Sequence, residues 1–209
     1  MAKHNFQALY SRAMPTPAFP DVTGLILAGG LGRRMGGVDK GLTLLDGKPL
    51  AGHVMERLGP QVGTLIINAN RNAEQYAAYG WPVVADRIDG YVGPLAGLHA
   101  GLSVCATPLL VSAPCDSPLL PLDLVARLRD ALEREQAQLA LPRTGDRLQP
   151  TFALMRREVA DDLAAYLSAG HRQMRAWCKQ LPHCIVDFPD ATAFANINTP
   201  DELRDLAGA

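Results

Sequence analysis

The chain has 209 residues, of which 48% are hydrophobic, so it can form one ordinary domain with a substantial core. Its formal net charge is −1, which excludes a general electrostatic attraction to nucleic acid or to a membrane surface. No apolar run approaches the ~20 residues of a membrane span, so we expect neither nucleic acid nor membrane as a partner.

The N-terminal stretch is polar and includes three prolines, without the apolar region of a signal peptide. We therefore expect a flexible N-terminal extension over residues 1–20 and a single domain over residues 21–209. The four cysteines form no C-x-x-C pair, which favours reduced thiols in a cytoplasmic protein. Cys178, His183 and Cys184 have no evident fourth partner, so a zinc site is disfavoured.

Short apolar runs alternate with amphipathic segments along the rest of the chain. The predicted strands cover residues 24–28, 40–45, 64–68, 82–86, 108–114, 139–142, 152–155 and 184–188. Predicted helices follow Pro49, cover 72–79, follow Gly93 to about residue 105, cover 122–136 and 157–167, and open at the capping box 199–202. The alternation predicts an α/β fold: a three-layer αβα, Rossmann-like arrangement around a mostly parallel sheet.

The first predicted strand runs into a segment rich in glycine and cations, and residues 28–41 read AGGLGRRMGGVDKG. Glycine lets a backbone approach a ligand closely, and the backbone N–H groups of such a loop bind anions. Arg33 and Lys40 add positive charge to the segment. It therefore predicts a polyphosphate-binding loop, and a glycine-rich turn with solvated basic side chains is the less specific alternative.

Two other phosphate loops fit less well. A Walker A loop needs Gly-Lys followed by Ser or Thr, but Gly47-Lys48 is followed by Pro49. The dinucleotide fingerprint G-x-G-x-x-G can begin at Gly30, but it then has Met35 in its third glycine position and gives no role to Lys40. An oxidoreductase with a dinucleotide-binding domain is therefore disfavoured, and a nucleoside triphosphate is the favoured ligand.

Polar side chains stand at the ends of three further predicted strands, namely Asn68, Asp86 and Asp116. Ligands of parallel α/β sheets bind at the carboxyl ends of the strands, so we expect these side chains to share one edge with the glycine-rich loop. Asp116 is the candidate ligand for Mg²⁺, which prefers oxygen donors and often bridges to substrate phosphates. The alternatives are turn or cap roles for the two aspartates and a turn amide for Asn68.

Two later features are candidates for binding an acceptor. Asn196 and Asn198 alternate along an extended segment, which places both amides on one side. Arg172 follows Gly170 and is a candidate cation for an anionic acceptor. A turn-forming Asn198 and a solvated surface Arg172 are the alternatives.

Together these motifs resemble the small-molecule nucleotidyltransferases and, within them, the molybdenum cofactor guanylyltransferase family. The resemblance is carried, in order, by LAGG at 27–30, GRRMGGVDKG at 32–41, NAN at 68–70, GPLAG at 93–97, PCD at 114–116 and NINTPDE at 196–202. It spans about residues 22–206. It implies transfer of GMP from GTP to molybdenum-molybdopterin, with release of pyrophosphate.

The resemblance also implies roles for individual residues. The implied nucleotide-binding residues are Leu27, Ala28, Gly29, Gly30, Lys40, Asn68, Asp86 and Asp116, and the implied molybdopterin-binding residues are Arg172, Asn196 and Asn198. The candidate catalytic residues are Lys40, Arg33 and Asp116. Among these, Arg33 is added as a second loop cation that would stabilise charge on the departing pyrophosphate. Mg²⁺ is the implied cofactor, held by Asp116. The expected partners are GTP, molybdenum-molybdopterin and, in transient contact, proteins that deliver molybdopterin or mature molybdoenzymes. A related transferase that uses CTP or a sugar-phosphate acceptor, and a noncatalytic nucleotide-binding module, remain as alternatives.

Overall fold

The computed structural model describes residues 16–30, 39–88 and 93–197, together with Glu202 and Arg204. Within these ranges the strands are β1 (Val22–Leu27), β2 (Leu44–Leu45), β3 (Lys48–Pro49), β4 (Thr64–Asn68), β5 (Val83–Val84), β6 (Leu109–Pro114), β7 (Leu139–Thr144), β8 (Arg147–Leu148), β9 (Leu154–Arg156) and β10 (His183–Asp187). The α-helices are α1 (Leu50–Leu58), α2 (Ala73–Ala77), α3 (Pro94–Val104), α4 (Leu124–Arg134), α5 (Ala160–Ser168) and α6 (Met174–Cys178). None of the helices in the described ranges is both long and apolar enough to cross a bilayer.

The main sheet has eight strands in the order β10–β7–β9–β6–β1–β4–β5, with β8 paired to β7. β1 lies between β4 and β6 and is parallel to both. β5 and β10 are also parallel to their neighbours, whereas β9 is antiparallel to β6 and to β7. The predicted mostly parallel sheet is therefore confirmed. The predicted strand-end residues follow the central strands β1, β4 and β6 and the edge strand β5.

Helices cover both faces of this sheet, which confirms the predicted three layers. Side chains alternate between the faces along β1, so Val22 and Ile26 pack into one core while Leu25 packs into the other. Helices α1, α2 and α4 close the first core, and helices α3, α5 and α6 close the second. In α1, Leu50, Val54 and Leu58 recur at helical spacing and are fully buried, as predicted.

The predicted strand over residues 40–45 is wrong in its first half. Lys40–Leu42 forms a 3₁₀ turn, and only Leu44–Leu45 is extended, pairing with β3 in a separate hairpin. The predicted turn at Asp46 and Gly47 is confirmed, since both residues have positive φ angles, 51° and 76°. The helix α6 and the short hairpin partner β8 were not among the predicted elements.

Residues 16–20 are the described part of the predicted N-terminal extension, and they contact the domain. The Ala18 N–H donates to the Pro60 carbonyl at 3.0 Å, and the Arg129 guanidinium lies 5.1 Å from the Phe19 ring centroid. Arg129 also donates two hydrogen bonds, of 2.6 and 2.9 Å, to the Asp21 carboxylate at the start of the domain. Residues 1–15 and most of the predicted C-terminal helix lie outside the described residues.

Candidate active site

Strand register brings the predicted site residues to one edge of the sheet. Leu27, the last residue of β1, pairs with Asn68 of β4 on one side and with Pro114 of β6 on the other. Asn68 in turn pairs with Val84 of β5. Because these parallel strands end in the same row, the segments that follow them emerge side by side. The edge therefore gathers Ala28–Gly30, Asn68–Asn70, Asp86 and Cys115–Asp116, as the strand-end rule predicts.

Lys40 and Asp116 form an ion pair at this edge. Lys40 Nζ lies 3.2 Å from Asp116 Oδ2, although the two residues are 76 positions apart in the chain. Asp116 is only 8% exposed, and this burial raises the pKa of its carboxyl above the ordinary 3.8, with Lys40 acting in the opposite direction. The carboxylate is therefore a poorly solvated anion that favours a cation beside it.

Cys115, between β6 and Asp116, is buried, and the burial raises the pKa of its thiol well above the ordinary value. Its thiolate is therefore scarce at neutral pH. This thiol is not suited to act as a nucleophile, so the chemistry of the edge depends on Lys40, Asp116 and the nearby backbone.

A second cluster joins Asn68, Asn70 and Asp86. The Asn68 amide donates to Asp86 Oδ1 at 2.9 Å and to the Val84 carbonyl at 3.2 Å. The Asn70 amide donates to Asp86 Oδ2 at 2.8 Å, and the Asp86 N–H donates back to Asn70 Oδ1 at 2.8 Å. These bonds fix the Asp86 carboxylate at the edge of the sheet.

The glycine at position 29 is required by this cluster. A Cβ at Gly29 would lie 2.9 Å from Asn68 Oδ1 and 3.0 Å from Asn70 Nδ2, closer than real Cβ atoms comfortably approach. The Gly29 carbonyl accepts a 3.2 Å hydrogen bond from the Asn70 amide. A Cβ at Gly30 would meet no atom within 4 Å, so the backbone at Gly30 is accessible to a ligand.

The residue before Lys40 is held by two side chains. Tyr76 Oη donates to Asp39 Oδ1 at 2.7 Å, and the Asn72 amide donates to Asp39 Oδ2 at 2.9 Å. Gly41 follows Lys40 and lies against the Tyr76 hydroxyl and the Cys115 side chain, where a larger residue would collide with both. The backbone on both sides of Lys40 is therefore packed in place.

The segment that carries Asn196 is attached to the Asp116 loop. The Ser117 hydroxyl donates to Asn196 Oδ1 at 2.8 Å, and the Ile197 N–H donates to the Asp116 carbonyl at 2.8 Å. Phe194 lies just before this segment and packs edge to face against Phe152 at 4.9 Å between ring centroids. The structure thus brings Asn196 to the same loop as the predicted metal ligand.

One other predicted residue that the structure describes, Arg172, is not brought into these clusters. Arg172 donates both of its 2.7 Å hydrogen bonds to the Leu167 and His171 carbonyls, so its guanidinium is directed at the C-terminal turn of α5. Arg33 and Asn198 lie outside the described residues. The predicted site roles of all three remain predictions.

Asn70 and Tyr76 were not predicted as site residues, although Asn70 contacts Gly29 and Asp86, and Tyr76 contacts Asp39, the residue before Lys40. For Asn70 a signal was present, since Asn68 and Asn70 alternate along one extended segment and share a side. For Tyr76 there is no comparable signal, because an apolar helix position has an ordinary structural explanation. Ser117 does carry one, since it directly follows Asp116 in the sequence and offers polar support to that loop.

The side chains at this edge can hold a divalent metal only together with oxygen atoms from a bound ligand. The described residues contain no group of three or more His, Cys, Asp or Glu side chains that could hold a metal ion by themselves. Mg²⁺ commonly binds through one or two carboxylates together with substrate phosphates. Asp116 offers one such carboxylate, buried and pointed at the edge where phosphates would lie, so the residues suit a metal shared with a nucleotide.

Comparisons with known proteins support the nucleotide site that the geometry indicates. Residues 24–184 match the model of the MobA-like NTP transferase domain. The molybdenum cofactor guanylyltransferase of Cupriavidus taiwanensis is 57% identical over 189 residues, covering 88% of this chain and 95% of that protein. The molybdenum cofactor guanylyltransferase of Ralstonia nicotianae is 52% identical over 196 residues, covering 90% of this chain and 96% of that protein.

Among solved structures, the molybdopterin-guanine dinucleotide biosynthesis protein A of Archaeoglobus fulgidus is similar in fold. It superimposes with a TM-score of 0.73 at 27% sequence identity. The match covers 89% of this chain and 97% of that one, so the whole arrangement of sheet and helices is shared.

Proposed function

Because the chain belongs to the molybdenum cofactor guanylyltransferase family, we propose that it transfers GMP from GTP to the phosphate of molybdenum-molybdopterin. The products are the molybdopterin guanine dinucleotide cofactor and pyrophosphate. The observation that carries the proposal is the 3.2 Å contact between Lys40 Nζ and Asp116 Oδ2, at the sheet edge that also presents the backbone of Gly29 and Gly30. A triphosphate needs such a cation and a metal-binding carboxylate within reach of the same phosphates.

The reaction forms one phosphorus–oxygen bond and breaks another. An oxygen of the terminal molybdopterin phosphate bonds to the α-phosphorus of GTP, and the bond from that phosphorus to the bridging oxygen of the β-phosphate breaks. The acceptor phosphate is already ionised near neutral pH, so no side chain has to act as a general base. The work of the protein is positioning and charge neutralisation, as in phosphoryl transfer generally.

We assign the predicted site residues the following parts in that work. Lys40 neutralises charge that grows on the departing pyrophosphate, together with Arg33. The backbone of Leu27, Ala28, Gly29 and Gly30 approaches the guanosine and its phosphates, while Asn68 and Asp86 contact the nucleotide. Mg²⁺, held by Asp116, would supply further neutralisation of the phosphoryl oxygens when bound. The buried thiol of Cys115 takes no part, so no covalent intermediate on the protein is expected.

The acceptor side is assigned to Arg172, Asn196 and Asn198. The hydrogen bond between Ser117 and Asn196 supports this for Asn196, since it ties the acceptor side to the loop of the metal ligand. We also propose transient contact with proteins that deliver molybdopterin or mature molybdoenzymes. A cytoplasmic location is supported by the four buried and unbridged cysteines, because reducing compartments keep thiols in this form.

The decisive experiment supplies protein-bound molybdenum-molybdopterin and measures pyrophosphate release with GTP, CTP, ATP or UTP. We expect release with GTP that exceeds release with the other three nucleotides by at least ~10²-fold, the scale on which a buried hydrogen-bonding pocket discriminates. Preferential use of CTP would instead favour a related cytidylyl transfer.

Two further measurements separate the remaining alternatives. GTP binding without pyrophosphate release, with molybdopterin present, would indicate a noncatalytic nucleotide-binding module. Binding of NAD(P)H, followed by its fluorescence, would favour the oxidoreductase interpretation, which the match to an NTP transferase domain does not support.

A further inference from the structure

A single short segment, residues 70–76, contacts both described ends of the glycine-rich loop. At the first end, the Asn70 amide donates to the Gly29 carbonyl at 3.2 Å. The neighbouring Arg71 guanidinium donates to the Gly30 carbonyl at 3.3 Å. Both acceptors are backbone atoms, so these contacts fix the course of the chain where it leaves β1.

At the second end, the same segment binds Asp39, the residue that directly precedes Lys40. Tyr76 Oη donates to one carboxylate oxygen at 2.7 Å, and the Asn72 amide donates to the other at 2.9 Å. Both oxygens of Asp39 therefore have a donor from one helical turn. Hydrogen bonds to a charged group are stronger than those between neutral groups, so the attachment is firm.

The local structure of the segment suits this task. Asn72 directly precedes the single turn of α2 and Tyr76 lies within it, and both side chains reach the Asp39 carboxylate. Asn72 is the N-cap residue of α2, yet its side chain makes no capping bond and instead reaches Asp39. Asn72 also has a φ of 53°, a left-handed conformation that Asn tolerates better than most residues.

The hydroxyl of Tyr76 has a fixed position. Tyr76 is 0% exposed and packs from α2 into the first core, so the position of its hydroxyl is set by packing. The same hydroxyl lies against Gly41, the residue that follows Lys40. The residues on either side of Lys40 are thus located by one tyrosine.

We propose that Tyr76 and Asn72 are positioning residues for nucleotide binding, which act by holding Asp39 and so directing the ammonium group of Lys40 at the triphosphate. The proposal rests on the proposed function, since it assumes that Lys40 binds the phosphates of GTP. In this arrangement Asp39 is a structural anion, and its charge is used to attach the loop to α2.

The test is the affinity for the unreactive analogue guanosine 5′-(α,β-methylene)triphosphate with Mg²⁺, measured by isothermal titration calorimetry. Tyr76→Phe removes only the hydroxyl, and we expect binding about tenfold weaker, the effect of losing one hydrogen bond to a charged group. Tyr166→Phe is the matched control, because Tyr166 is a buried tyrosine in the other core whose hydroxyl donates to the Gln173 carbonyl at 3.1 Å. We expect the control to bind the analogue like the wild-type protein.

A second variant covers the case in which Tyr76→Phe fails to fold. Asn72 is exposed, and Asn72→Gly keeps the left-handed backbone without strain while it removes the donor to Asp39. We expect binding about threefold weaker, a smaller effect because this bond is exposed to water. Unchanged affinity in the folded variants would overturn the proposal.

A double-mutant cycle distinguishes positioning from general destabilisation. In a Lys40→Ala background, Tyr76→Phe should weaken analogue binding by less than about twofold, because the group that it positions has been removed. A full tenfold effect in that background would show that Tyr76 acts by another route and would overturn the proposal. If the wild-type protein does not bind the analogue at all, the proposed function fails, whereas binding that survives both substitutions refutes only the positioning role.

Discussion

Replacing Asp116 by Asn separates the stability of the protein from its activity. The change keeps the size of the side chain and leaves an oxygen that can accept the hydrogen bond from Lys40. It removes only the negative charge, which is the property that a metal ligand needs. We therefore expect transfer activity to fall by at least ~10²-fold, the usual consequence of losing one electrostatic stabiliser.

The expected change in stability follows from two opposing energies. At 3.2 Å and an effective dielectric constant near 20, the attraction between Lys40 and Asp116 is about 5 kcal/mol. Removing a carboxylate from water costs several kcal/mol, so the two energies are comparable. The raised pKa of Asp116 indicates that burial outweighs the attraction to Lys40. At pH 7 the free energy of unfolding of Asp116→Asn should therefore equal that of the wild-type protein or exceed it by up to about 1 kcal/mol.

The pH dependence has a definite sign. A carboxyl group whose pKa is raised by folding stabilises the protein in its protonated form, and that stabilisation is lost as the pH rises through the raised pKa. The advantage of Asp116→Asn over the wild-type protein should therefore be smallest near pH 3.8, the ordinary pKa of Asp, and should grow as the pH rises above it. Added salt should change this difference in stability little, because the ion pair between Lys40 and Asp116 is largely buried.

Urea unfolding at several pH values measures these free energies, and pyrophosphate release measures activity in the same preparations. Lys40→Ala is the matched comparison, because it leaves the buried carboxylate unpaired and should destabilise the protein by about 1–3 kcal/mol. The reasoning is refuted if Asp116→Asn is the less stable of the two variants. Retention of magnesium-dependent activity by Asp116→Asn would refute the metal assignment.

Three further substitutions test the rest of the site. Lys40→Ala should lower turnover with saturating GTP by ~10²-fold or more. Lys48→Ala, which breaks a surface ion pair between the hairpin and Glu56 of α1, should leave turnover unchanged. Gly41→Ala should lower the free energy of unfolding by about 1–3 kcal/mol in urea titrations, because its Cβ would collide with the Tyr76 hydroxyl. Asn70→Ala should weaken GTP binding about tenfold by calorimetry, since it releases both the carbonyl of Gly29 and a carboxylate at the sheet edge. Full turnover in Lys40→Ala, normal stability in Gly41→Ala or normal affinity in Asn70→Ala would each contradict the corresponding role.

The central part of the site could be predicted because it depends on strand ends. The apolar runs that end at Leu27, Asn68 and Pro114 are long and regular enough to be read as buried parallel strands. Parallel strands emerge at one edge, so the polar residues that follow them must be neighbours. No exact register was needed to expect that Asp116 lies at the same edge as the glycine-rich loop.

The parts that could not be predicted depend on tertiary contacts between distant segments. The run over residues 40–45 predicts a strand, but Gly41 lies against Tyr76 and Cys115, and residues 40–42 form a 3₁₀ turn instead. Arg172 could be named as a candidate cation from its sequence neighbours, yet the direction of its guanidinium depends on the Leu167 carbonyl at the end of α5. A local sequence pattern shows neither which distant side chains pack against a glycine nor which carbonyl groups a surface arginine can reach.

The two hydrogen-bonded clusters explain how an exposed edge can keep a precise shape. Backbone approach to a ligand requires glycine, and glycine by itself leaves a chain flexible. In this protein the side chains that limit that freedom come from the next strand and helix, with Asn70 at Gly29 and Tyr76 at Asp39. The rigidity of the nucleotide site is therefore supplied by residues that need not touch the nucleotide, so substitutions in the segment 70–76 should affect GTP affinity more strongly than their distance from the chemistry suggests.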